Sequence, residues 1–71
     1  MIKLKFQILD EVSIIPLKYV RGTIINVWID TNTIQYKVRY FVENEIKEIY
    51  FYEKELSIET KEQQKTIGFN Q

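Results

Sequence analysis

The feature that most constrains this chain is an alternation of apolar and polar side chains, which two short polar segments around Asn32 and Asn44 divide into runs. An alternation with period two is typical of β-strands that bury one face. Asparagine tolerates the left-handed backbone that a tight hairpin turn requires, so both segments are predicted to be turns. The sequence therefore predicts a meander of three antiparallel strands. These strands are 23–29, 34–41 and 46–52.

Counting outwards from the two predicted turns gives the strand registers. With 43–44 as a two-residue turn, Val38 lies opposite Ile49. With 31–32 as the other turn, Ile25 lies opposite Val38. A slip of one residue in either hairpin would exchange the faces of a strand. The two registers agree on one buried face, which comprises Ile25, Val27, Ile29, Tyr36, Val38, Ile49 and Phe51.

Weaker signals flank the meander. Residues 3–9 alternate as a strand would, and 12–15 form a second short apolar run. Pro16 lacks a backbone N–H and is expected to end pairing there. We further expect one helical turn at 53–56, a short strand at 57–60 and a polar tail at 61–71.

Composition favours β-structure throughout. The 71 residues include 12 Ile, 5 Val, 5 Thr and ten aromatic side chains, and no Ala. β-branched and aromatic side chains pack well on a pleated surface. A meander this small must curl or pack on another element to bury its apolar face. We therefore predict one all-β domain over 1–60, a small five-stranded barrel built on a three-stranded antiparallel meander, with an open meander that dimerises as the alternative.

The same composition argues against several classes of function. The chain has no Cys and no His, which removes thiol chemistry, imidazole bases and Cys/His metal sites. The formal net charge is zero, which disfavours a general nucleic-acid coat. No apolar run is long enough to span a bilayer, and no signal peptide is recognisable. We expect a cytoplasmic protein that is not an enzyme and uses no cofactor or metal.

A succession of short motifs runs along residues 8–58. The motifs are Asp10-Glu11-Val12, Arg21-Gly22-Thr23-Ile24, Trp28-Ile29-Asp30, Tyr36-Lys37-Val38-Arg39-Tyr40-Phe41 and Tyr50-Phe51-Tyr52-Glu53-Lys54-Glu55-Leu56. This succession resembles small SH3-like (Tudor- or KOW-like) β-barrels, above all short proteins of bacteriophages and mobile elements. The chain departs from that pattern at Asn32 and Asn44, where the family has glycine. The resemblance implies an SH3-like barrel that acts as a binding module.

The alternation also predicts an outer face opposite the core. Trp28, Lys37, Tyr50 and Tyr52 are expected there, with Arg39 at the rim. Aromatic side chains beside a cation make a good contact surface, because they bury much area at little cost in side-chain entropy. The alternative is that a terminal segment covers them. We expect a protein partner at this face, with inhibition of a host enzyme or defence complex as one version, and a homodimer as a further possibility.

A nucleic-acid-binding domain is the main rival hypothesis. Lys18, Arg21, Lys37 and Arg39 would form its basic patch, with aromatic side chains between them to stack on bases. The competing interpretation is an ordinary solvated face in which Arg39 pairs with Glu48. A cage for a methylated amine, formed by Tyr19, Trp28 and Tyr52, is a third hypothesis.

Overall fold

The computed structural model describes residues 3–58, and 59–71, which include the predicted tail, lie outside the described residues. The strands are β1 (Glu11–Ile14), β2 (Val20–Ile29), β3 (Ile34–Val42), β4 (Glu45–Tyr52) and β5 (Leu56–Ile58). Two single-turn 3₁₀ helices, Ile15–Leu17 and Glu53–Glu55, connect β1 to β2 and β4 to β5. All strands lie in one antiparallel sheet of order β4-β3-β2-β1-β5.

The predicted all-β fold of five antiparallel strands is confirmed, but the predicted closure of these strands into a barrel is not. β4 and β5 form the two edges of the sheet, and within residues 3–58 no pairing joins them. The described sheet therefore stays open rather than closing into a barrel. None of the helices in this part of the chain is long and apolar enough to cross a membrane.

The β3–β4 hairpin has the predicted register along its whole length. Val38 lies opposite Ile49 and Val42 opposite Glu45, with no shift between them. Glu43 and Asn44 both have positive φ, of 53° and 64°. A two-residue turn with two left-handed residues has the twist of the strands it connects, which explains why the register runs without interruption.

The β2–β3 hairpin keeps its predicted register only near the turn. Val27 lies opposite Tyr36 as predicted, but the register shifts between Ile24 and Asn26. This bulge brings Ile24 opposite Val38, so the prediction of Ile25 at that position is wrong. Ile24 is consequently fully buried, and Ile25 is only partly buried. Compared with a register that has no bulge, the extra residue places every side chain beyond it on the opposite face of the strand.

The first turn also differs from the prediction. Asn32 is not among the residues with positive φ, so its expected left-handed conformation is wrong. The turn closes instead through the backbone N–H of Asp30, which donates to the carbonyl of Thr33 at 2.8 Å. The Asp30 carboxylate also accepts from the N–H of Thr31 at 2.6 Å. Local side-chain bonding of this kind stabilises turns without a left-handed residue.

The core lies on one face of the sheet. Its buried members are Phe6, Val12, Ile14, Ile24, Tyr36, Val38, Tyr40 and Leu56. Of the residues predicted to be buried, Val27 and Phe51 pack against this cluster, while Ile29 and Ile49 are 47% and 44% exposed. Ile29 adjoins the turn, and Ile49 lies on an edge strand. In an open sheet these positions have few covering neighbours.

The predicted strand at residues 3–9 is wrong, although one of its side chains belongs to the core. Phe6 is 1% exposed, and its ring meets that of Tyr36 edge-on at 5.2 Å. The backbone then turns, because the Asp10 carboxylate accepts from the N–H of Gln7 and the Asp10 N–H donates to the Gln7 carbonyl. This local bonding replaces a strand ladder. The segment is thus a cap over the sheet.

The Tyr36 hydroxyl ties this cap to the end of β4. It accepts from the backbone N–H groups of Lys5 and Phe6, at 3.2 and 3.4 Å. It donates to the Glu53 carboxylate at 3.0 Å. Burial, reinforced by the charge of Glu53, raises the pKa of Tyr36 above its ordinary value, against the lowering effect of the Phe6 N–H. The phenol therefore stays neutral in the fold over a wider pH range than in water.

Candidate functional site

The face of β2, β3 and β4 opposite the core, called here the outer face, carries the predicted partner-binding residues. Three cross-strand rows define it. The rows are Trp28–Gln35–Tyr52, Asn26–Lys37–Tyr50 and Thr23–Arg39–Glu48. The strand registers thus bring together all five residues named from the sequence, on one side of one sheet.

Trp28 and Tyr50 form the ordered centre of this face. Their rings meet edge-on, with centroids 6.4 Å apart and planes at 71°. The Asn26 side-chain amide donates to the Tyr50 hydroxyl at 3.3 Å, and the Lys37 ammonium lies 5.7 Å from the Tyr50 ring centroid. Trp28 is nevertheless 55% exposed. The indole is therefore held on one edge by a fixed neighbour and open to solvent elsewhere.

Tyr52 extends the aromatic surface to the end of β4. It lies in the same row as Trp28, across Gln35, and is 47% exposed. Its backbone N–H donates to the Glu55 carboxylate at 2.9 Å, which fixes the point where the strand ends. We call Trp28, Tyr50 and Tyr52 the aromatic platform.

A groove of about 640 Å³ adjoins the platform at Tyr52. The turn 30–33 forms one wall, and Glu53 and Lys54 form the other. Ile29 and Ile34 also line the groove, and its charged residues are two acidic side chains and one basic side chain. Among the platform residues, Tyr52 alone lines the groove, and Ile29 and Ile34 lie in a row on the core side of the sheet.

The two cations beside the platform, Lys37 and Arg39, share one carboxylate. Arg39 Nε donates to Glu48 at 2.9 Å, and Lys37 Nζ lies 3.9 Å from the other oxygen of that carboxylate. Pairs this exposed contribute at most about 1 kcal/mol. Their effect is to lower the net positive charge beside the platform, as expected for the solvated arrangement.

The four cations of the predicted nucleic-acid patch do not all lie on one face of the sheet, because Lys18 lies apart from the other three. Arg21 is paired with Glu11 at 3.1 Å. Lys18 lines a separate cleft with Tyr40 and Lys47, which belong to the core side of the sheet. Lys37 and Arg39 lie together, and the register places Arg21 on the same face one row further along β2, so Lys18 is the cation that is separate from the others.

The predicted aromatic cage is not formed either. Tyr19 precedes the first residue of β2, and Trp28 lies near its last. A ten-residue strand separates such positions by roughly 25 Å or more. The three aromatic side chains therefore do not converge on one cation. Within residues 3–58 no group of three potential metal ligands comes together.

Sequence reasoning missed a second apolar pair on the outer face. Phe41 and Ile46 lie directly opposite each other beside the 43–44 turn, and they are 62% and 65% exposed. The register predicted from a turn at 43–44 also places these two residues opposite each other, but their exposure depends on their position at the tip of an uncovered hairpin. The outer face thus has apolar side chains at both ends and the Arg39–Glu48–Lys37 charges between them.

Comparisons with known proteins give no match for this chain among protein-family models, curated proteins or solved structures.

Proposed function

We propose that this protein is a non-catalytic binding module that holds a protein partner against the aromatic platform of its outer face. The observation that carries the proposal is Trp28, which is more than half exposed although Tyr50 orders it. Tryptophan and tyrosine are the residues most enriched among interface hot spots. A ring already fixed in place loses little further entropy when a partner covers it.

The charges around the platform favour a protein over a nucleic acid. Lys37 and Arg39 share Glu48, so a phosphate would have to compete with a carboxylate already in place. Arg21 is likewise paired with an acidic side chain. Phosphate contacts supply most of the affinity of nucleic-acid binders, and they need several free cations on one surface. A rim of matched charges around an apolar centre is instead typical of protein interfaces.

The wider proposal keeps the family resemblance. The five antiparallel strands and the meander of consecutive strands β2, β3 and β4 support kinship with SH3-like domains of bacteriophages and mobile elements. In that setting the module would act in the host cytoplasm, by occluding or recruiting a host enzyme or defence complex. The groove beside Tyr52 gives such a partner a second point of contact.

The test compares two variants that each remove one exposed aromatic side chain. Trp28→Ala removes the centre of the platform, and Tyr19→Ala removes a ring that is 60% exposed but lies at the other end of β2. With the wild-type protein as bait, we expect a partner that Tyr19→Ala retains and Trp28→Ala loses. Both variants should keep the circular dichroism spectrum of the wild type.

Two outcomes would overturn the proposal. One is equal recovery of the partner by Trp28→Ala. The other is unfolding of that variant, because Trp28 would then belong to the core. Titration of the wild type with a fluorescent oligothymidylate at rising salt tests the rival function. A steep fall of affinity with salt, abolished by Lys37→Ala and Arg39→Ala, would replace the protein partner by a nucleic acid.

A further inference from the structure

β4 is a long edge strand whose outer side is unpaired within residues 3–58. It has eight residues, whereas β5, the other edge, has three. It pairs with β3 without a register shift and contains no proline. Regular edges of this length are templates for pairing with another strand.

The register identifies which backbone groups face outwards. Val42 and Glu45 flank the two-residue turn, so they form a hydrogen-bonded pair. Bonding to β3 then alternates along β4, and every second residue turns its N–H and C=O away from the sheet. These residues are Ile46, Glu48, Tyr50 and Tyr52. The Tyr52 N–H also points outwards and donates to the Glu55 carboxylate at 2.9 Å, so a strand paired with β4 has to replace this bond at the Tyr52 end of the ladder.

We propose that two copies of the chain pair antiparallel through β4, with Ile49 opposite Ile49 on the two-fold axis. The sequence of β4 itself favours a second copy as the partner, because its charges and outward-facing backbone groups are compatible with self-pairing. A hydrogen-bonded ladder between two copies of β4 forms only in registers that place outward-facing residues opposite each other. Two such registers pair seven of the eight residues of β4. One of the two centres on Glu48 and the other on Ile49.

The charges decide between these registers. Centring on Glu48 places two carboxylates directly opposite each other, which is destabilising. Centring on Ile49 places Glu48 opposite Tyr50, whose ring already has the Lys37 ammonium 5.7 Å from its centroid. It also places Lys47 opposite Phe51, where the ammonium can contact a ring. No like charges then face each other along the paired residues.

The same register accounts for two exposed apolar side chains. Ile49 is 44% exposed on the core side, and its twin would cover it. Ile46 would lie opposite Tyr52 of the second copy. The Phe41–Ile46 pair of one copy would thereby join the aromatic platform of the other, which makes one continuous outer face from two.

The absence of cysteine from the chain makes a crosslinking test clean. Across the axis, the two Ile49 Cα atoms would lie about 4.5 Å apart, within disulfide range. The two Ile46 Cα atoms would lie about 20 Å apart, beyond that range. We expect Ile49→Cys to oxidise to a covalent dimer and Ile46→Cys, at the more exposed position, to stay monomeric. The wild type should sediment as a concentration-dependent dimer.

Three results would overturn the proposal. They are a monomeric wild type at every concentration, crosslinking of Ile46→Cys as fast as Ile49→Cys, and efficient crosslinking of Glu48→Cys in place of Ile49→Cys, which would indicate the other register. None of these results bears on the Trp28→Ala test, so failure of the dimer and failure of the proposed function remain distinguishable.

Discussion

The side chains on the two faces of β3 differ in how deeply they are buried. Tyr36, Val38 and Tyr40 point to the core and are at most 6% exposed. Phe41, two positions beyond Arg39 on the other face, is 62% exposed. Burial of an apolar side chain contributes about 1.5–3 kcal/mol, and an exposed one contributes little of this. The inner face therefore accounts for stability, whereas the aromatic side chains of the outer face have no comparable role in folding.

The largest expected loss of stability comes from a substitution in the cap that covers the inner face. Phe6→Ala should lower the free energy of unfolding by about 3–5 kcal/mol, because it empties a fully buried site against Tyr36. In a domain this small that loss is enough to unfold much of the population. Urea titration followed by circular dichroism measures it. Leu9→Ala, in the same segment but at a side chain 74% exposed, is the matched control and should stay within about 0.5 kcal/mol of wild type.

A smaller effect is expected from Tyr36→Phe, which keeps the ring and removes the hydroxyl. The Phe6 N–H then loses its acceptor, whereas the Lys5 N–H keeps the Glu53 carboxylate at 3.3 Å, so we expect a cost of about 1–3 kcal/mol. Tyr52→Phe, on the outer face, should change stability far less. Equal losses in the two variants would contradict the division between the faces.

The same tyrosine gives a prediction for pH. Its pKa is raised in the fold above the 10.0 of the unfolded chain, so above about pH 10 the unfolded state binds fewer protons than the folded one. The contribution of Tyr36 to stability should be constant below pH 10 and fall as pH rises through the folded pKa. Urea midpoints between pH 8 and 11 should therefore decline less steeply in Tyr36→Phe than in wild type, and parallel declines would show that the shift is absent.

The smallest effect concerns the charges of the outer face. Glu48→Gln removes the partner of Arg39 and Lys37, both in solvent-exposed pairs. We expect a loss of about 0.2–1 kcal/mol that shrinks as salt is added. A loss above about 2 kcal/mol, or one insensitive to salt, would mean that the outer face contributes to stability as the core does.

The register of the β3–β4 hairpin could be predicted from the residue pattern alone, because apolar and polar residues alternate along most of β3 without two adjacent candidates for the same core position. Where two isoleucines adjoin, at 24 and 25, either can face the core, and a bulge decides which one does. The prediction of a strand over residues 3–9 was wrong for a related reason. Its alternation is real, but only Phe6 is buried, and Asp10 supplies local bonds that a pattern of hydrophobicity does not reveal.

The shared face of the five candidate residues was easier to predict than the packing around them. Alternate residues of a strand lie on the same side of a sheet, whether or not the sheet closes into a barrel. This alternation places the five candidate residues on one face, and they are Trp28, Lys37, Arg39, Tyr50 and Tyr52. The exposure of the Phe41–Ile46 pair and the open edge of β4 could not be predicted, since both depend on which elements cover a strand. That is a property of tertiary packing, and local sequence does not encode it.

The most direct test of the central claim, that an ordered aromatic platform lies open on the outer face, is the fluorescence of the single tryptophan. In the folded wild-type protein at low concentration, Trp28 should emit at the long wavelengths of a hydrated indole and be quenched readily by acrylamide. Its anisotropy should nonetheless be that of a ring held against Tyr50. Short-wavelength emission that acrylamide does not quench would show a covered indole and contradict the account.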